Sequence, residues 1–262
     1  VADNYNNLGV TCYFKREYDE ALRYHEKSLG IRLKMLEPEH PDIAQSYGNL
    51  GLVHGSMGDN NKAIEYHRKS LAIQMKMLGP RHPAVASSYR NLGELYDTRG
   101  EDARALDYFE KALAISVEAL GPKHPEVAQN YECLGMAHDR DGAHEKAISY
   151  LGESLKIILK TFGPEHLRVA RCYNKIGSIH QTLGDYPKAL QYHGKTLAIF
   201  RERLSPQHPD IAMCYNDIGA THHSNSEFNK AIEFFWKSLA IRLETLGPDH
   251  PEVAQSYNNL GA

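Results

Sequence analysis

His82-Pro83-Ala84-Val85-Ala86-Ser87-Ser88-Tyr89-Arg90-Asn91-Leu92-Gly93 is the stretch that decides how this chain is read. Shifted by 42 residues, its pattern returns along the whole sequence. His-Pro stands at 40, 82, 124, 208 and 250, with His166-Leu167 as the variant. Tyr follows at 5, 47, 89, 131, 173, 215 and 257, and Gly four residues later at 9, 51, 93, 135, 177, 219 and 261. A fixed period of roughly 20–50 residues marks a repeat array, in which each unit buries its apolar surface only against its neighbours. Six periods of 42 and ten further residues account for the 262-residue chain. The phase at Val1 and at Ala262 reads as a piece of a longer array.

Within one period, residues 41–57 read as a helix, A. Pro41 suits the first turn, and Asp42 beside it favours the positive end of the helix dipole. Ala44, Tyr47, Leu50, Gly51 and His54 fall at helical spacing on one face. Gly58-Asp59 breaks the chain, and Asp59 is a natural N-cap for a second helix, B, running to about Leu78. Arg16 and Ser226 stand where other repeats have Gly58, Gly100, Gly142 and Gly184, so the first and last turns are expected to be less well fixed. The inner face of B is expected to hold Ala63, Ile64, His67, Leu71 and Leu78. Leu29, Leu71, Leu113, Leu155, Leu197 and Leu239 form one unvarying column, and Ile31 to Ile241 another. Short helices with short connections lie antiparallel, and a hairpin with apolar surface on several sides must stack on the next. The expectation is an all-α solenoid forming a single array over 1–262, six repeats and a terminal half-helix.

Composition excludes several classes. The net charge is −3 with both signs interspersed, which provides no basic surface for nucleic acid or membrane. No apolar run approaches the roughly 18 residues of a membrane span. Cys12, Cys133, Cys172 and Cys214 include no CxxC pair, and Cys172 and Cys214, one period apart, are expected to lie too far apart to bridge. Reduced thiols and a cytoplasmic setting are expected.

Fifteen histidines invite a metal or pH-sensing reading. Six of them, His40, His82, His124, His166, His208 and His250, precede helix A once per repeat. Separated by a whole repeat, they cannot converge on one ion, so they read as caps. His54 with His67 and His180 with His193 sit where A and B should touch. Phe109, Leu151 and Phe235 take the His67 place in other repeats, so that place asks for bulk, not for a ligand. Most of the 16 tyrosines form two scaffold columns, one on each helix. No nucleophile–base arrangement, phosphate-cradling Gly loop or HExxH motif is present. No metal site, cofactor or enzymatic activity is expected.

Tyr47, Leu50-Gly51, Ala63 twelve residues after the Gly, and then small Ser70 resemble the tetratricopeptide repeat. The 42-residue period, the long helix B closed by Leu-Gly-Pro-x-His-Pro, and Tyr5-Asn6-Asn7-Leu8-Gly9 and Tyr257-Asn258-Asn259-Leu260-Gly261 resemble the kinesin-light-chain type. The resemblance covers the whole chain and implies a right-handed superhelix of stacked helix pairs. It further implies a concave groove lined by helix A, at six, three and two residues before the Gly and one after it. Those places read Gln45, Gly48, Asn49, Leu52; Ser87, Arg90, Asn91, Glu94; Gln129, Glu132, Cys133, Met136; Arg171, Asn174, Lys175, Ser178; and Met213, Asn216, Asp217, Ala220. They vary between repeats where the core columns do not. In relatives of this type, Asn two before the Gly contacts bound peptide; Asn7, Asn49, Asn91 and Asn259 match it, while Cys133, Lys175 and Asp217 depart.

The expected function is a non-catalytic scaffold holding an extended peptide or protein partner in the groove, with Asn49, Arg90, Asn91, Arg171, Asn174, Lys175 and Asn216 as contacts. Arg171, Asn174, Lys175 and Asn216 form the densest basic and amide cluster, which suits an acidic segment. Asp217 partly offsets it and is placed to pair with Lys175. Two alternatives stay open. One is a structural array that self-associates end to end through uncapped terminal repeats; the other is a sensor arm regulating an enzyme domain outside this sequence.

Overall fold

The computed structural model describes residues 1–261, and among these it contains thirteen α-helices and no strand. The first compact unit, Val1–Asp141, holds α1 (Ala2–Phe14), α2 (Tyr18–Met35), α3 (Pro41–Ser56), α4 (Asn60–Leu78), α5 (Pro83–Thr98), α6 (Asp102–Leu120) and α7 (Pro125–Arg140). The second, from Gly142 onward, holds α8 (His144–Phe162), α9 (Leu167–Thr182), α10 (Tyr186–Arg203), α11 (Pro209–Ser224), α12 (Phe228–Leu246) and α13 (Pro251–Gly261). In each unit the hairpin partners, such as α3 with α4 and α11 with α12, share the most extensive contact. Each B helix then packs on the next A helix, as α2 on α3 and α10 on α11.

The cap column behaves as its spacing predicts. In each of the six, the His Nδ1 accepts a hydrogen bond from the backbone N–H two residues on, at 3.1–3.2 Å (Asp42, Ala84, Glu126, Arg168, Asp210, Glu252). His166 caps α9 in the same way although Leu167 replaces the proline. This satisfies one of the N–H groups that every helix start leaves without an intrahelical partner.

The A-to-B turns differ from expectation at two positions. Arg16 and Ser226 adopt φ of 64° and 60°, the left-handed conformation that Gly58, Gly100, Gly142 and Gly184 take elsewhere. The closing bond is also kept: Glu17 N–H reaches Cys12 C=O and Glu227 N–H reaches His222 C=O at 2.9 Å, the same distance as Asp59 to His54. The packed hairpin imposes the turn and absorbs a cost of about 1 kcal/mol or more per non-glycine residue.

Helices A and B approach closely at the invariant Gly. A methyl group on Gly93 would fall 2.6 Å from the Phe109 ring, on Gly51 2.7 Å from His67, on Gly9 2.7 Å from His25 and on Gly219 2.7 Å from Phe235. Beside this contact, a small B residue donates to a carbonyl of A: Ser28 to Ala2 at 2.9 Å, Ser70 to Ala44 at 2.8 Å and Thr196 to Ala170 at 3.1 Å. The tyrosine columns close the other flank. Tyr66 stacks on both Tyr47 (6.0 Å) and His54 (5.5 Å), and Tyr192 stacks on His180 (5.6 Å) with Tyr173 tilted against it at 5.9 Å. Leu78, expected inside, is 41% exposed in the last turn of α4. The buried residues of α4 are Ala63, Ile64, His67, Ser70 and Leu71.

The seam between one B helix and the next A helix is built on pairs 14 residues apart. Arg32 donates to Ser46 (2.8 Å), Ser88 to Gln74 (2.7 Å), Asn130 to Ser116 (2.8 Å) and Arg242 to Ser256 (2.8 Å). At the two remaining seams the same places hold Ile158 with Cys172 and Phe200 with Cys214, all four at most 1% exposed.

Two tests follow from this packing. Gly93→Leu drives a branched side chain into a ring that is itself 1% exposed, so denaturant melts should show a loss of about 3 kcal/mol or more; a change under about 0.5 kcal/mol would mean the helices do not meet there. Burial pushes the imidazoles of His25, His67 and His193 down from 6.5 to about 4. A ring neutral in the fold contributes fully above the unfolded value of 6.5 and loses that contribution as pH falls toward 4, at about 1.4 kcal/mol per pKa unit. His67→Phe, which copies Phe109, should therefore melt like the parent at pH 7 and lose less stability between pH 6.5 and 4. An unchanged acid profile would remove His67 from the explanation.

Candidate functional site

The residues singled out in the sequence lie on α3, α5, α9 and α11, and the structure treats the two units differently. In the first unit, Asn49 Nδ2 donates to Asn6 Oδ1 on α1 at 2.8 Å, and Asn6 is only 7% exposed. Asn91 lines a depression of about 280 Å³ with Gly51, Leu52, Gly55 and Glu94. A smaller hollow of about 140 Å³ is walled by Val10, Phe14, Leu52 and Val53, with His25 and Asn49 also lining it. Arg90, one turn before Glu94, keeps Nη1 buried without a hydrogen-bond partner. Burial raises the Glu94 carboxyl, while Arg90 and the Cys133 thiol (3.8 Å) pull it back.

In the second unit, Arg171, Asn174 and Lys175 fall within one turn of α9, beside Asn216 and Asp217 of α11. The cluster carries more acid than its sequence spacing implies. Arg171 Nη2 lies 3.3 Å from Asp210 Oδ2 while remaining 62% exposed. Asn174 Nδ2 donates to Asp217 Oδ2 at 3.0 Å, and Asn174 Oδ1 lies 2.8 Å from Nδ1 of His193. Burial raises the Asp217 carboxyl, opposed by hydrogen bonds from Asn174 and Asn216 and by the charge of Arg242. Asn216 Oδ1 in turn accepts from Asn259 at 2.8 Å. Lys175 is half-buried.

Sequence reasoning missed a diagonal that runs through these columns. Asn6 with Asn49, Asn174 with Asp217, and Asn216 with Asn259 are each 43 residues apart, one period plus one. The residue three before the Gly on one A helix meets the residue two before it on the next. A search for polar pairs at that offset would have found it. Each bridging amide still has one N–H or one carbonyl lone pair beyond the bridge, so the diagonal braces the site without exhausting its hydrogen-bonding capacity. One group with ligating chemistry also falls together, Cys12 with Glu17 and Glu20 at the α1–α2 turn. Burial, and after it the Glu17 charge, raise the Cys12 thiol. No helix among the described residues is long and apolar enough to cross a membrane.

The sequence profile of the tetratricopeptide repeat matches residues 1–76, 56–116, 99–160, 126–202, 173–244 and 215–262. Among curated proteins, none matches the chain. Solved structures do. BtubC (BKLC) from P. vanneervenii is 26% identical with a TM-score of 0.76, over 89% of this chain and 94% of that one. A kinesin-light-chain candidate of Podosopora anserina, built of nearly identical TPR-like repeats, is 24% identical with a TM-score of 0.69, over 79% of this chain and 99% of that one. The apo form of RapI is 15% identical with a TM-score of 0.71, over 99% of this chain and 95% of that one, and is a likeness of fold alone.

Proposed function

Because the chain belongs to the tetratricopeptide repeat family, whose members generally act as protein-interaction scaffolds, we propose that it holds an extended, acidic peptide segment of a cytoplasmic partner. The site proposed is the A-helix face of the second unit, with Arg171, Asn174, Lys175 and Asn216 as the contacts. The observation that carries the reading is Arg171, an arginine 62% exposed whose ion pair to Asp210 is long at 3.3 Å. A carboxylate arriving on the peptide competes with Asp210 on favourable terms, since a bidentate arginine pair is shorter and stronger. The half-exposed amides of Asn174 and Asn216 supply backbone-directed hydrogen bonds that do not depend on the peptide's side chains. In the first unit, Asn49 and Asn91 would play the same part around the hollows beside Leu52, with Arg90 and Glu94 offsetting each other there. The reading has no catalytic step, cofactor or metal.

The test is a peptide-library selection followed by affinity measurements on any acidic peptide recovered. Arg171→Ala/Lys175→Ala should weaken binding by roughly tenfold or more, as expected for charge-assisted contacts, and the parent's affinity should fall with added salt. Arg90→Ala should bind like the parent. A double variant that binds as well as the parent would place the site elsewhere.

A further inference from the structure

Three departures from the repeat pattern converge at one place in the first unit. The position of Tyr96 is His54, His138, His180 or His222 in four other repeats and Cys12 in the first. The position of Arg68 is Glu26, Glu110, Gly152, Gly194 or Trp236 elsewhere, and that of Arg99 is Lys15, Met57, Asp141, Leu183 or Asn225. Column positions that serve stacking alone do not require these three to change together. The structure shows what the changes accomplish. Arg68 Nη2 donates to the hydroxyl of Tyr96 at 2.6 Å, and Tyr96 is itself 2% exposed, so a buried phenol fixes the direction of an exposed guanidinium. Arg104 lies over the Tyr96 ring at 5.5 Å. Arg99 and Arg104 share Glu101, at 2.9 and 2.6 Å, and Lys69 is paired with Glu65 at 2.6 Å. Arg68 makes no ion pair among the described residues.

These side chains surround a depression of about 650 Å³ between α4, the end of α5 and the start of α6. It shares no residue with the groove columns. Four cations, Arg68, Lys69, Arg99 and Arg104, face two carboxylates, Glu65 and Glu101, which leaves two positive charges. A carboxylate ligand would neutralise one of them. A phosphate monoester, with a charge of about −1.5 to −2 near neutral pH, neutralises both, and its three oxygens suit several guanidinium forks at once. The depression is open, and its aromatic ring is buried beneath Arg104, so it offers no stacking face for a nucleobase. Its grip is on the phosphate group.

We propose that this depression is a second binding site, for a phosphorylated serine, threonine or tyrosine presented by a protein partner, with Arg68 as its central contact and Tyr96 as the positioning residue behind it. It is separate from the groove reading, and each survives the failure of the other. Phosphorylation of the partner would then add a charge-assisted contact outside the groove, making attachment conditional on that modification.

The test is an NMR titration of the chain with a short glycine-flanked phosphoserine peptide, the same peptide carrying aspartate instead, and adenosine monophosphate. The phosphopeptide should give saturable shifts at the amides around Arg68, Arg99 and Arg104, weakened by added salt. Arg68→Gln should reduce its affinity roughly tenfold, the expected effect of losing a charge-assisted pair. Tyr96→Phe should reduce it by a smaller factor while its thermal melt stays near the parent's, and Arg171→Ala/Lys175→Ala should leave it unchanged. No saturable shift, or an Arg68→Gln affinity equal to the parent's, overturns the site. An aspartate peptide that binds as tightly overturns the phosphate assignment, and adenosine monophosphate binding more tightly than the phosphopeptide overturns the protein source.

Discussion

Every B helix of this chain must lay its second face on the next A helix, and everything else depends on that seam. A two-helix hairpin cannot bury both of its sides, so its stability is held in common with its neighbours. The seam centres on one pair, buried throughout except for half-buried Gln74, and the chemistry of the two partners is matched. Arg32, Gln74, Ser116 and Arg242 meet Ser46, Ser88, Asn130 and Ser256, whereas Ile158 and Phe200 stand with Cys172 and Cys214. Putting Cys172 beneath an arginine would leave a buried donor unpaired, at a cost of roughly 1–3 kcal/mol or more. Matching therefore separates the four polar seams from the two apolar ones.

Within a hairpin the demand is simpler. In five repeats a ring lies against the Gly of helix A, from His25, His67, Phe109, His193 or Phe235, and Leu151 takes the same place in the sequence of another. That tolerance accounts for three of the fifteen histidines, His25, His67 and His193, and the cap column accounts for six more. It also separates two kinds of variation along the chain. Where one residue type substitutes for another of similar shape, as in the ring position, packing is the selected property. Where residues of unlike charge appear at an exposed place, as with Arg171 on the groove side or Arg68 on the α4 side, packing does not select them. The amide diagonal is intermediate, since Asn49 and Asn216 brace neighbouring repeats while staying half-exposed.

The fold was legible because its determinants are periodic. The Gly, Tyr and His columns mark both helices, their caps and their contact, and the structure places each accordingly. The seam pairs and the amide diagonal were not legible, because they join positions 14 and 43 residues apart whose identities change together, and a scan for constant columns passes over them. The turns at Arg16 and Ser226 were misjudged for a related reason: local preference argued for a looser turn, and the packed hairpin overrode it. At the candidate site the sequence identified Arg171 and Asn174 as neighbours but could not place Asp210 beside Arg171, since that contact crosses from one A helix to the next.

A double-mutant cycle on the Ser116–Asn130 seam tests the matching most directly, because both side chains are fully buried and bonded at 2.8 Å. Ser116→Ile and Asn130→Cys, made together, graft the Ile158–Cys172 combination onto this seam. Each single change should cost about 1–3 kcal/mol in denaturant melts, by stranding a polar partner or crowding it, and the double variant should recover at least about 1 kcal/mol of the summed loss. Costs that simply add, within about 0.5 kcal/mol, would contradict the claim that the seam pairs are read as pairs.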